Sequence, residues 1–149
     1  MRFWDSSAIV PLVVEEASSA LLLNLYRSDT AVLVWALTST EITSALCRRH
    51  REGVLDLIQL QASEERLRRL REDWTETQDL DPVRQRAERL LHVHPLTAAD
   101  SLQLAAALVA TEERPQRFPF VTLDGQLSEA AAREGFRIAG LPSAPYTVA

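Results

Sequence analysis

The chain alternates short, continuous apolar runs with longer segments whose apolar residues recur at helical spacing, and this alternation limits its fold most. Continuous apolar runs bounded by turn residues are typical of strands buried on both faces. Strands separated by helices need crossover connections, which give a mainly parallel sheet with helices on both of its faces. The sequence therefore predicts an α/β domain over residues 1–149, with a central sheet of four to five strands.

The strand candidates are short and the helix candidates are long. Four runs are predicted as strands, at residues 2–4, 31–36, 117–123 and 136–140. Helical spacing predicts helices over residues 16–28, 40–53, 56–77, 82–93 and 98–113. We expect the helix pair within 40–77 to project as an arm, and the proline-containing segment 141–149 to be a short surface tail.

Composition indicates the number of cores and the cellular compartment of the protein. The 149 residues are 46% hydrophobic, enough for one core. The single cysteine, Cys47, cannot close an intrachain disulfide, and no run approaches membrane-spanning length or reads as a signal peptide. We therefore expect a cytoplasmic protein without a membrane segment. The net charge of -5 argues against non-specific coating of nucleic acid but leaves a nuclease open.

Four acidic residues stand where strands are predicted to end or helices to begin. Asp5 ends the first strand, Asp124 ends the third, Glu41 follows the second, and Asp100 opens a helix. Each has an ordinary structural explanation, because Asp is a frequent helix N-cap and the spacings from Thr38 to Glu41 and from Thr97 to Asp100 fit or nearly fit a capping box.

The four acids mean more together than singly. In an open parallel sheet, ligands bind outside the carboxyl ends of the strands, and all four acids are predicted to lie at that edge. Two carboxylates about 4 Å apart repel by roughly 4 kcal/mol at an effective dielectric near 20, so a cation is needed. Oxygen ligands without His or Cys favour Mg²⁺ or Mn²⁺ over zinc.

Four stretches in this order resemble the PIN-domain ribonucleases, and specifically the VapC toxins of toxin-antitoxin pairs. They are "MRFWDSSAIVPLVVEE", "TSTEITSAL", "LTAADSLQLAAAL" and "FVTLDGQLSEAAAREG", which together span nearly the whole chain. The resemblance implies a PIN-like fold and a catalytic site that holds one or two Mg²⁺ or Mn²⁺ ions. Its implied catalytic and metal-binding residues are Asp5, Glu41, Asp100 and Asp124, with Ser6 and Thr122 as supporting hydroxyl neighbours.

The same resemblance implies a metal-dependent endoribonuclease that acts as a toxin. Its partners would be the RNA substrate, a VapB-type antitoxin that blocks the acidic site, and a second copy of the chain in a homodimer. All 16 basic residues are arginine, which suits phosphate recognition, and we expect Arg48, Arg68 and Arg69 to contact RNA.

Two alternatives compete with this interpretation. A phosphatase of the haloacid dehalogenase class also begins with an Asp at a strand end, but it needs a second Asp two residues later, where this chain has Ser7. A non-catalytic module, whose acids cap helices and dock a basic peptide, stays open at this point.

Overall fold

The computed structural model describes residues 1–141, which form a five-stranded sheet with every strand parallel to its neighbours. The strands are β1 (Arg2–Trp4), β2 (Val32–Trp35), β3 (Thr75–Thr77), β4 (Phe120–Val121) and β5 (Ile138–Ala139). Their spatial order is β3-β2-β1-β4-β5, so β1 lies at the centre and the chain changes direction between β1 and β4. The predicted parallel α/β architecture is confirmed.

Seven α-helices accompany the sheet in this part of the chain. They are α1 (Ser6–Val13), α2 (Ser19–Ser28), α3 (Thr38–Arg51), α4 (Leu57–Asp73), α5 (Leu80–Leu91), α6 (Ala98–Ala110) and α7 (Gly125–Arg133). A 3₁₀ turn, Pro115–Arg117, precedes β4.

Each face of the sheet is covered by its own group of helices. Successive strand residues point to opposite faces, so Phe3 packs with α5, α6 and α7, whereas its neighbour Trp4 packs with α1 to α4. The same alternation separates Phe120 from Val121. Helices therefore cover both faces, as predicted, and the carboxyl ends of β1 and β4 meet at the point where the strand order reverses.

The edge strand β3 is the main departure from the sequence prediction. Helical spacing predicts a helix throughout residues 56–77, but α4 ends at Asp73, and Trp74 has an extended backbone. Thr75–Thr77 then pair with β2. Two β-branched threonines favour a strand at this edge, but the polar sequence "TET" carries no apolar run to indicate one.

Two other predictions change in extent. The third predicted strand, 117–123, contains only Phe120–Val121 as a strand, because the preceding 3₁₀ turn takes up Arg117. The helix pair predicted as an arm is present, but Ile42, Leu46 and Leu67 of α3 and α4 are buried against α1 and the sheet. Much of this pair is thus part of the domain's core.

Among residues 1–141, no helix is both long and apolar enough to span a membrane. The predicted surface tail, 141–149, lies outside the described residues except for Leu141.

Candidate active site

Asp5 lies at the carboxyl end of the central strand, beside the point where the strand order reverses. Its backbone N–H donates to the carbonyl of Val121 at 2.9 Å, which ties it to β4. Its side chain caps α1 by accepting from the Ser7 N–H, and it is only 2% exposed. The residue is therefore the helix cap that the sequence allowed, and it is also the most buried of the four acids.

Hydroxyl groups hold one oxygen of Asp5. Oδ2 accepts from the Ser7 hydroxyl and from Thr122 Oγ1 at 3.0 Å. Thr122 is itself fully buried and accepts from the Asp124 N–H at 3.0 Å. The other oxygen, Oδ1, has one long contact, 3.4 Å from Ser6 Oγ. Asp5 therefore keeps lone pairs on Oδ1 for a further ligand.

Glu41 lies in the first turn of α3, and its hydrogen bonds also fall on one carboxylate oxygen. Its Oε2 accepts from Ser6 Oγ at 2.7 Å and from Gln103 Nε2 at 3.1 Å. Within residues 1–141, no hydrogen bond is formed by Oε1 of Glu41. Ser6 Oγ thus lies within 3.4 Å of Asp5 Oδ1 as well as 2.7 Å from Glu41 Oε2.

Asp100 and Asp124 begin the two remaining helices of the site. The Asp100 N–H donates to Thr97 Oγ1 at 3.2 Å, so Thr97, rather than Asp100, caps α6. Asp124 caps α7 by accepting from the Leu127 N–H at 2.8 Å. Positive partial charge at these helix N-termini makes the nearby carboxylates more tolerable.

Burial raises the pKa of Asp5, Glu41 and Asp100, and the charges of neighbouring carboxylates add to this effect. Burial raises the pKa of Asp5, and the charge of Glu41 adds to this, although hydrogen bonds from Ser7 and Thr122 oppose it. Burial also raises the pKa of Glu41, with a contribution from the charge of Asp100. For Asp100, burial and then the charges of Asp124 and Asp5 raise the pKa to about 6. The four acids therefore form one electrostatic group.

No ion pair joins this group to a basic side chain within residues 1–141. Of the eleven ion pairs there, none includes Asp5, Glu41, Asp100 or Asp124. Within these residues, the repulsion predicted from the sequence is thus not relieved by an ion pair.

The side chains at the sheet end offer carboxylate oxygens, which are the ligands that Mg²⁺ and Mn²⁺ prefer. No three His, Cys, Asp or Glu side chains of residues 1–141 stand close enough together to hold an ion as they are placed. Within the described residues, the four carboxylates are therefore not preassembled as direct ligands of one ion. The free oxygens of Asp5 and Glu41 are of the required chemistry.

The three arginines predicted to contact RNA have different surroundings. Arg48 lines a cavity of about 370 Å³ together with Ser6, Glu41 and Ser44. Arg68 and Arg69, by contrast, form ion pairs along the exposed surface of α4. The cavity places Arg48 near Glu41, whereas Asp5, Asp100 and Asp124 do not line it.

Sequence reasoning missed two polar side chains of this site. In the sequence, Ser7 is only a departure from a phosphatase motif, yet in the structure it bonds Asp5. Gln103 lies in a helix that the sequence marks as apolar, although a lone amide within "SLQLAAAL", one turn after Asp100, is a signal that could have indicated it.

Comparison with known proteins adds no family assignment: no protein-family model matches the chain, and no curated protein matches it. The resemblance to VapC toxins therefore stays a prediction that depends on the motifs and on their arrangement.

Proposed function

We propose that the protein is a Mg²⁺- or Mn²⁺-dependent endoribonuclease, the toxin of a toxin-antitoxin pair. The observation that supports this most is the group of four carboxylates, drawn from separate parts of the chain to one end of the sheet, none of which forms an ion pair among residues 1–141. The choice of RNA as substrate and the toxin role depend on the resemblance of the motifs to VapC.

Asp5 and Asp100 would hold the ion, with help from Glu41 and Asp124. When bound, such an ion polarises a phosphoryl oxygen, lowers the pKa of a bound water and stabilises charge on the leaving oxygen. The chain's own groups then orient the reaction. Ser7 and Thr122 fix Oδ2 of Asp5.

Glu41 is suited to accept the proton of the attacking water. Its two hydrogen bonds both fall on Oε2, so Oε1 is the proton acceptor in this proposal. Its raised pKa makes it a stronger base than a solvent-exposed glutamate.

Arg48 would receive a phosphate of the RNA. It lines the same cavity as Glu41, and a guanidinium binds phosphate oxygens in a bidentate manner. RNA passing along this cavity would bring a phosphodiester to the carboxylates while its neighbouring phosphate contacts Arg48.

The unbalanced carboxylates also suit the proposed VapB-type antitoxin. A basic segment laid across the site would place an arginine where the metal binds, since a charge-assisted pair replaces the ion's charge. The proposed homodimer would bring a second set of arginines to the RNA.

The test is cleavage of end-labelled single-stranded RNA by the purified protein with Mg²⁺, with Mn²⁺ and with EDTA. We expect internal cuts that need the metal and that Asp100→Ala abolishes. Mapping the new ends identifies the cleaved sequence. Absence of cleavage by the wild type with either metal, together with tight binding of an arginine-rich peptide, would favour the non-catalytic binding module instead.

A further inference from the structure

Gln103 connects two of the helices that carry the acids. It is fully buried on α6, one turn after Asp100. Its Nε2 donates to Glu41 Oε2 at 3.1 Å and to Thr38 Oγ1 at 3.0 Å. Thr38 is also fully buried and is the first residue of α3. One amide group thus joins α6 to the turn of α3 that presents Glu41.

The amide of Gln103 is oriented with its N–H groups towards Glu41 and Thr38. Both N–H groups of Gln103 are used, whereas its buried Oε1 accepts no hydrogen bond within residues 1–141. Turning the amide over would give Oε1 the Thr38 hydroxyl but would place it against the Glu41 carboxylate. A buried acceptor without a partner is unfavourable. The observed orientation therefore gives Glu41 a hydrogen bond and leaves Oε1 of Gln103 without one.

Glu41 has a second donor from another direction. Ser6, on α1, donates to the same Oε2. Two donors from two helices fix this oxygen, and Oε1 is left to accept the proton of the attacking water. Ligating carboxylates are commonly held by such hydrogen bonds, and removing these bonds weakens metal binding or activity by about 10–100-fold.

On the basis of the proposed nuclease function, we propose that Gln103 is a positioning residue for Glu41. It does not touch RNA. It holds the carboxylate in the orientation that the metal and the attacking water require, so its removal should lower metal affinity and kcat without changing KM for RNA.

Gln103→Met tests this role, because it keeps a similar volume and removes the amide. We expect Mn²⁺ affinity, measured by calorimetry without RNA, and kcat each to fall about 10–100-fold with KM unchanged. Ser101→Ala is the matched control. Ser101 is buried on the same helix, but its hydroxyl donates to the Ala98 carbonyl, so its removal should leave both quantities unchanged.

The outcomes separate this proposal from the nuclease function. If Gln103→Met matches the wild type while Asp5→Asn is inactive, the positioning role is overturned and the nuclease stands. If the wild type binds Mn²⁺ but does not cleave RNA, the nuclease function is overturned. The ratio of Mn²⁺ affinities between the wild type and Gln103→Met then decides whether Gln103 positions Glu41. If the wild type neither binds Mn²⁺ nor cleaves RNA, the nuclease function and the positioning role are both overturned.

A second variant covers failure of Gln103→Met to fold, judged by circular dichroism. Gln103→Glu has the same size but brings a carboxylate instead of a donor towards Glu41. We expect it to lower kcat at least as much as Gln103→Met. Wild-type kcat and Mn²⁺ affinity in Gln103→Glu would overturn the positioning role.

Discussion

The acidic group at the sheet end and the charged surface of α4 treat similar carboxylates in opposite ways. On α4, hydrogen bonds and charge from Arg68, with a smaller contribution from Arg69, lower the pKa of Glu65 to about 2. At the sheet end, burial and then the charges of Asp124 and Asp5 raise the pKa of Asp100 to about 6. One carboxylate is stabilised as an anion, and the other is destabilised.

The difference comes from the partners. The α4 pairs join residues three or four positions apart, so the helix balances its own charge in solvent. The sheet-end acids are bonded instead by hydroxyls and amides, which orient a carboxylate without cancelling its charge. Charge that a protein concentrates without balancing is available to a ligand, and this distinguishes a candidate site from a solvated surface.

Asp5→Asn should break the comparison most strongly. The change removes the central carboxylate but keeps its shape, and we expect RNA cleavage to fall by on the order of 10³-fold. The fold should persist, because Asn is an equally good N-cap and the buried charge is removed. Single-turnover cleavage and thermal melting measure the two effects.

Glu65→Gln is the matched control for that prediction. It removes one negative charge from α4, where the partners are arginines and solvent. We expect its cleavage rate to equal that of the wild type. Similar rates for Asp5→Asn and Glu65→Gln would contradict a catalytic role for the sheet-end acids.

The positions of the acids could be predicted from the sequence because the sheet topology could be predicted from it. Apolar runs alternating with helical segments predict a parallel sheet, and the carboxyl ends of its strands share an edge. Asp5 and Asp124 then follow from their places after β1 and β4. The edge strand β3 was inaccessible, since Thr75–Thr77 is stabilised by pairing with β2 rather than by burial of an apolar run.

The helix α1 and the role of Gln103 were harder to predict for different reasons. The sequence "AIVPLVV" is apolar at nearly every position and contains Pro11, so it has no helical periodicity to detect. Gln103 acquires its role from a hydrogen bond to Glu41, 62 positions earlier in the chain. Spacing predicts which face of a helix a residue occupies but not which distant side chain it meets.

The second-largest expected effect is a fall in the stability of the folded protein as the pH rises. Because the folded-state pKa of Asp100 is raised from 3.8 to about 6, the folded protein binds this proton more tightly than the unfolded chain. The resulting stability is fully present below about pH 4 and is lost as the pH rises through about 6. Asp5 and Glu41, whose pKa values are also raised, act in the same direction.

Melting in EDTA between about pH 4 and pH 7 measures this dependence. Asp100→Asn has no titrating group at this position, so its melting temperature should fall less than that of the wild type as the pH rises. Mn²⁺ should raise the wild-type melting temperature most at the upper end of the range, where the carboxylates are ionised. Parallel curves for wild type and Asp100→Asn would contradict the raised pKa.

Arg48→Gln should weaken RNA binding by a smaller factor. Removing one arginine that binds a phosphate of single-stranded RNA reduces the slope of log affinity against log salt by about 0.7. We therefore expect affinity to fall about three- to tenfold near physiological salt, measured by fluorescence anisotropy in the Asp5→Asn background so that the RNA stays intact.

Arg51→Gln is the control for Arg48→Gln, because it removes an equal charge from the same helix three residues later. Its effect should be smaller, since Arg48 lines the cavity beside Glu41. Equal reductions in the two variants would mean that RNA responds to net charge rather than to an arginine in that cavity.

Arg68→Gln should have the smallest effect on RNA affinity, and it tests the α4 side of the comparison. Arg68 already bonds Glu65 and Glu72, and its side chain is exposed. A phosphate would have to compete with two glutamates for this guanidinium. We expect RNA affinity to change less than about twofold, because salt screens exposed charges of this kind. The slope of log affinity against log salt should be unchanged, since no phosphate contact is lost. If Arg68→Gln instead weakens binding as much as Arg48→Gln does, the RNA path includes α4, as the sequence alone predicts, and local pairing of charges does not exclude a surface from binding.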